Sequence, residues 1–268
     1  MQLPVNLPST FREALAASGR PLIGMWVCSG SPLVAEICAG SGLDWLLIDM
    51  EHSPNHLTSV LAQLQAVSAH PVSPVVRAPG LLPVMIKQIL DLGAQNILVP
   101  MIDTAEQAEA AVRAVRYPPR GDRGIGSALA RSARWGRVDD YLADADEHVS
   151  LFVQIESATG VRNAAGIAAV DGVDGVFVGP SDLAASMGLI GGQTHPDVVA
   201  AALRVFETVR RAGKPVGINA FDPAQASAYL EAGAAFVLVG ADVALLARGS
   251  EALSERFIPG PGMSRPAE

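Results

Sequence analysis

Eight short apolar runs recur along the 268-residue chain, separated by stretches of helical periodicity, and this alternation restricts the fold more than any other feature. The runs are LIGMWVC (22–28), WLLIDME (45–51), PVVRAP (74–79), NILVPMID (96–103), SLFVQIES (150–157), GVFVGPSD (175–182), PVGINAF (215–221) and FVLVGAD (236–242). Most are too continuously apolar for a strand with one wet face, so they fit a parallel sheet covered on both sides. Between them, Leu57, Val60, Leu61, Leu64 and Val67 form one helical stripe. Asp103 with Glu106 reads as a capping-box-like start for a helix through Val115, and Asp222-Pro223 as an N-cap followed by proline. Gly213 and Gly233 stand where two helices should stop. A single (β/α)₈ TIM barrel is the expected architecture, with a doubly wound open sheet as the alternative. No linker divides the chain, so the barrel is expected over 1–257, with IPGPGMSRPAE (258–268) as a loose tail.

Composition narrows the function. Half the residues are apolar, ample for one large core, and a formal charge of −8 argues against a nucleic-acid surface. Only Cys28 and Cys38 occur, without a CxxC, which disfavours a disulfide framework or a cysteine-built zinc site and suits a reducing compartment. The N-terminal MQLPVNLPSTFREAL lacks the pattern of a signal peptide, and no run reaches the ~18 apolar residues of a membrane span. The expectation is a soluble cytoplasmic protein. GDRGIGSALA (121–130) has the order GxxGxG and follows a proline-rich segment, so no nucleotide cofactor is expected. The irregular insert 116–137, placed after the fourth strand, is expected over the mouth where barrel active sites lie. Its arginines, Arg116, Arg120, Arg123, Arg131, Arg134 and Arg137, read as solvated, paired at subunit contacts, or in one or two cases attracting an anionic substrate.

In a barrel the carboxyl ends of the strands converge. Those ends carry, in order, Trp26; Asp49, Glu51 and His52; Arg77; Asp103; Gln154, Glu156 and Ser157; Ser181 and Asp182; Asn219; and Asp242. Helix capping suffices for Asp103, Ser157, Asp222 and Asp242. Glu156 lies in an apolar strand and needs a partner or a metal, because unpaired burial of charge is costly. With Asp182 on the next strand it makes a hard, two-carboxylate site fit for a magnesium-like ion that keeps positions open for a 2-oxo acid. His52 is the natural proton carrier. Arg77 reads as a barrel ion pair, a clamp for a carboxylate or enolate oxygen, or both. The only lysines, Lys87 and Lys214, are badly placed for a Schiff base, so carbon–carbon chemistry here should need metal.

Taken together, GLDWLLIDMEHSPN, VVRAPG, IKQILDLGAQNILVPMIDTAEQA, RYPPRGDRGIG, VQIES and GVDGVFVGPSDLAASMG closely resemble the HpcH/HpaI aldolase family, from about Pro21 to about Leu246. The resemblance implies a class II aldolase of aromatic catabolism that reversibly cleaves 4-hydroxy-2-oxo acids, such as 4-hydroxy-2-oxoheptanedioate, to pyruvate and an aldehyde. It implies Mg²⁺, Mn²⁺ or Co²⁺ on Glu156 and Asp182, with the pyruvate enolate held on the metal. It further implies His52 as proton acceptor, directly or through a metal-bound water, and Arg77 as stabiliser of the enolate-like transition state. Asp91 would raise the basicity of the histidine from an adjacent subunit. Gln154, Ser181, Asp182 and Trp26 are the expected substrate contacts, and Asn219 stands near the aldehyde pocket where some members are apolar. The resemblance also implies a homohexamer in which the last helix, with VALLARGSEALSERF (243–257), packs on a neighbour. Two other readings remain: another lyase or decarboxylase that uses a metal and an enolate on a related oxo acid, or a non-catalytic barrel that binds a carboxylate.

Overall fold

The structure, a computed structural model, describes residues 5–258. The expected loose tail lies, apart from Ile258, outside the described residues. Eight strands form the core: β1 (Leu22–Val27), β2 (Trp45–Asp49), β3 (Ser73–Arg77), β4 (Asn96–Val99), β5 (Ser150–Ile155), β6 (Gly175–Val178), β7 (Val216–Asn219) and β8 (Phe236–Ala241). They follow one another in chain order around a closed barrel. Parallel pairing of β1 with β8, Leu22 opposite Phe236, completes the ring and rules out the open sheet. Each strand is followed by at least one helix: α2 (Pro32–Ala39), α3 (Leu57–Val67), α4 (Pro83–Asp91), α5 (Ala105–Val115), α6 (Ala158–Ala169), α7 (Pro180–Ser186) with α8 (Pro196–Arg211), α9 (Pro223–Glu231) and α10 (Asp242–Phe257).

Alternate strand residues point inward, and the barrel interior is filled by Trp45, Phe152, Phe177 and Phe236 among aliphatic side chains. Such bulk needs small neighbours. A Cβ on Gly217 would lie 2.3 Å from Phe236, so only glycine fits beside that ring. The outward strand residues build the larger cluster against the helices.

A helix the sequence reading did not assign, α1 (Phe11–Ala17), stoppers the amino end of the barrel. Thr10 caps it, in a box with Glu13. Phe11 is 1% exposed, with its ring centroid 5.0 Å from Trp45, 5.2 Å from Phe152 and 5.4 Å from Phe236. Its N–H donates to Asn96 Oδ1 at 2.6 Å. With that end plugged, the carboxyl end is the mouth.

Several expectations are corrected. Helix α5 is capped by Thr104 in a box with Gln107, one residue later than the Asp103–Glu106 reading. The free Asp103 carboxylate accepts a hydrogen bond from Ser157 Oγ. Asp242 is the first residue of α10, not its cap: its carboxylate accepts from the N–H groups of Cys28 (2.8 Å) and Ser29 (3.0 Å), tying the end of β1 to β8. Ser157 and Asp222 do cap α6 and α9. Gly213 and Gly233 follow α8 and α9 with φ of 75° and 96°. The insert is on the other face from the one expected. It leaves the end of α5, which runs back to the amino side of the sheet, and there Tyr117, Ala133, Tyr141 and Ala145 pack with Leu7 and Val138. Among the described residues no helix is long and apolar enough to cross a membrane.

Candidate active site

Asp49 organises the mouth. Ending β2 at 1% exposure, it accepts from Arg77 Nε at 2.7 Å and from the N–H groups of Glu51 (3.0 Å) and His52 (3.2 Å). Its own carbonyl accepts from Asn55 Nδ2 at 2.7 Å and from Ser53 Oγ, which turns the chain sharply after the strand. One buried carboxylate therefore fixes both the cation of β3 and the loop that carries Glu51 and His52.

Arg77 is 5% exposed and held on three sides. Beside Asp49, Glu51 Oε2 is 2.8 Å from Nη1, an ion pair outside hydrogen-bond geometry. The guanidinium carbon lies 4.3 Å from the centre of the Trp26 ring, a cation–π contact. Trp26 is in turn oriented by donation from its Nε1 to Asn219 Oδ1 at 2.8 Å. Burial pushes the Glu51 carboxyl up, against the opposing pull of Arg77 and His52. The His52 side chain is 65% exposed, its Nε2 3.9 Å from Glu51 Oε1.

Glu156 follows β5 at 2% exposure. Burial pushes its carboxyl up to about 7, and the Glu51 and Asp182 charges push the same way. Gln154 Nε2 and the Met101 N–H (2.7 Å) oppose the rise by donating to it. Met101 presents that N–H from a left-handed conformation, φ 58°, rare for a residue with a side chain. Gly179 makes room on the other side: a Cβ there would fall 2.5 Å from Glu156 Oε2 and 2.9 Å from Gln154 Nε2.

A cavity of about 280 Å³ opens at the mouth, and Trp26, His52, Arg77, Gln154, Ser181 and Asp182 all line it. Asp49, Asn219 and Phe221 are also in its wall, and Glu156 adjoins it through Gln154 and Gly179. Asp91 is elsewhere. It ends α4 at the amino face, where its Oδ1 is 3.4 Å from Nη2 of the fully buried Arg123. The sequence reading noted Asp49 and Glu51 at the strand end but gave them no role. The signal was present: an arginine in an apolar barrel strand demands counter-charges, and two acids end the neighbouring strand.

The donor set near Glu156 is all oxygen. Its buried carboxylate, disfavoured as an anion and crowded by Asp182 and Glu51, would be relieved by a hard divalent cation. Among the described residues no three His, Cys, Asp or Glu side chains converge as a closed cage, so water or substrate oxygens would complete the shell.

A plugged parallel barrel with an ion-paired arginine, an exposed histidine and crowded carboxylates at its open end has the form of an enzyme of the (β/α)₈ class, whose active sites lie at that end. The model of the HpcH/HpaI aldolase/citrate lyase family matches residues 22–249, and the chain belongs to that family. It is 51% identical to the 4-hydroxy-2-oxo-heptane-1,7-dioate aldolase of Salmonella dublin over 251 residues, covering 94% of this chain and 95% of that one. An HpcH/HpaI aldolase/citrate lyase family protein from Burkholderia cenocepacia J2315 superposes with a TM-score of 0.87 at 44% identity, over 91% of this chain and 98% of that one. The citrate synthase SbnG follows with a TM-score of 0.81 at 27% identity, over 92% and 98% of the two chains.

Proposed function

We propose that this chain is a class II aldolase that reversibly cleaves 4-hydroxy-2-oxo acids, 4-hydroxy-2-oxoheptanedioate among them, to pyruvate and an aldehyde. The observation that carries the reading is the shared cavity: Arg77, His52, Gln154 and Asp182 line it, and Glu156 adjoins it. Glu156 and Asp182 would hold the divalent ion, Mg²⁺, Mn²⁺ or Co²⁺, which when bound supplies Lewis acidity for the 2-oxo group. Arg77, locked by Asp49, Glu51 and Trp26, offers a fixed cation to the oxygen on which charge develops. His52 removes the proton of the C4 hydroxyl; the C3–C4 bond then breaks, its electron pair moving towards C2 and its oxygen, and a proton added at C3 gives pyruvate. Exposure of His52 lets it exchange that proton with solvent. Gln154, Ser181 and Trp26 are the substrate contacts, with Asn219 and Phe221 flanking the space for the aldehyde.

The amphipathic α10 packs on a neighbouring copy in a homohexamer, and Asp91 of one copy serves His52 of another. The two free cysteines suit a cytoplasmic setting.

The decisive experiment follows pyruvate released from 4-hydroxy-2-oxoheptanedioate after exhaustive chelation. Cleavage should stop and return with Mg²⁺ or Mn²⁺; full activity without metal would overturn the mechanism. A second reading, the same cavity working on another oxo acid, is favoured by the likeness to a citrate synthase. Products other than pyruvate plus aldehyde would decide for it.

A further inference from the structure

A second cavity, of about 360 Å³, lies on the amino face, between the segment 6–9 and the starts of β3 and β4. Arg131 and Arg134 line it together with Ser68, His70, Ser73 and Gln95, and no acidic residue lines it. On a chain of formal charge −8, this is an unusual wall.

The two guanidinium groups converge. A Cβ placed on Gly93 would fall 2.7 Å from Arg134 Nη1 and 2.8 Å from Arg131 Nη1, so both cations crowd one point that only glycine leaves open. Neighbouring arginines of the insert are neutralised: Arg120 meets Asp146 at 2.9 Å, Arg116 the same aspartate at 3.7 Å, and Arg123 meets Asp91 at 3.4 Å. Arg131 and Arg134 instead donate only to backbone, to Leu92 O at 2.9 Å and to Arg131 O at 2.7 Å, and meet no carboxylate among the described residues. Capping of α4 accounts for one N–H of Arg131 and the Arg131 carbonyl for one of Arg134; among the described residues no other hydrogen bond engages either fork.

The backbone is bent to make this arrangement. Arg134, Trp135 and Gly136 are three successive left-handed residues, with φ of 48°, 58° and 75°. Two of them carry side chains, and such conformations persist where the surroundings impose them. Burial and the adjacent Arg134 charge push the Arg131 guanidinium down to about 10.

From this geometry we infer a second binding site, remote from the mouth, in which Arg131 and Arg134 clasp a small oxyanion with two negative charges, a phosphate group or a dicarboxylate. Two planar forks facing one point match the paired oxygens of either anion. The inference does not depend on the reaction proposed for the mouth.

Isothermal titration of the protein with inorganic phosphate, and separately with succinate, at constant ionic strength in chloride tests it. One anion per chain should bind, and the stronger of the two arms names the source. Binding should persist in Arg77→Gln, which removes the cation of the mouth. It should weaken roughly 10- to 100-fold for each guanidinium lost in Arg131→Gln and Arg134→Gln. Should the glutamine variants fail to fold, Arg134→Lys, which keeps the charge and removes the fork, should still weaken binding. No heat with either anion overturns the inference, as does heat unchanged by the Arg131 and Arg134 variants, or heat lost in an Arg77→Gln protein whose far-ultraviolet circular dichroism spectrum is unchanged. Dissociation of the Arg131 and Arg134 variants into smaller species, with no anion bound by the unaltered protein, would assign the pair to a carboxylate of a second copy and equally overturn it.

Discussion

At the scale of single residues, the mouth is governed by two buried carboxylates with opposite needs. Asp49 has a permanent partner in Arg77 and two backbone donors. Removing one member of a buried pair strands the other, at a cost of about 3–5 kcal/mol. Asp49→Ala should therefore destabilise the protein by about that much, read as a lower denaturant midpoint, and release both Arg77 and the His52 loop. Glu156 lacks such a partner, and burial holds its carboxyl near 7 instead of 4.5. Between those two pH values the folded protein keeps a proton that the unfolded chain has released, so stability falls as pH rises through the window. The full loss for this one group is about 3 kcal/mol. Denaturant melts of chelator-treated protein at pH 5 and pH 8 should show the decline, and Glu156→Gln should flatten it. Equal slopes in the two proteins would mean Glu156 does not carry the effect. A bound cation reverses the preference, so metal should stabilise most at the alkaline end.

Elements show which parts of the chain announce themselves. Every strand was legible because a parallel barrel buries both faces, leaving runs such as WLLID with no polar alternation to confuse them. The convergence of Trp26, His52, Arg77, Gln154, Ser181 and Asp182 was legible for the same reason, since strand ends share one rim. Local ambiguities were not resolvable: DTAEQ offers a capping box in two registers, and only packing selects Thr104 with Gln107. The insert was misplaced because it was counted from β4, although α5 intervenes and returns the chain to the opposite face. The short α1 gave no period to read, and its importance lies in a tertiary contact, Phe11 seated on three barrel aromatics. Phe11→Ala would leave that aromatic socket empty and should cost about 3–5 kcal/mol, seen in thermal melts. Cleavage at low temperature should survive, because the plug and the mouth are at opposite ends.

Across the whole molecule, the last helix is the element the single chain leaves least covered. Helix α10 buries only Asp242, while Leu246, Leu253 and Phe257 stand 71%, 59% and 70% exposed. Apolar side chains spaced along one 16-residue helix demand cover, and a second copy of the chain is the partner always present at sufficient concentration. The proposed pairing of Asp91 with a histidine sets a condition on assembly. His52 opens at the carboxyl mouth, whereas Asp91 closes α4 at the amino face, so no movement within one barrel joins them. If Asp91 acts on a histidine, the histidine belongs to another copy, and assembly becomes a condition of catalysis. Leu246→Glu with Leu253→Glu places charges on the uncovered face without touching the mouth. This variant should sediment as smaller species while keeping its barrel, read as an unchanged far-ultraviolet circular dichroism spectrum. Its turnover should fall together with its mass, and adding Asp91→Ala should then cost little more, because the partner that aspartate serves has already gone. Smaller species with full activity would show instead that each mouth works alone.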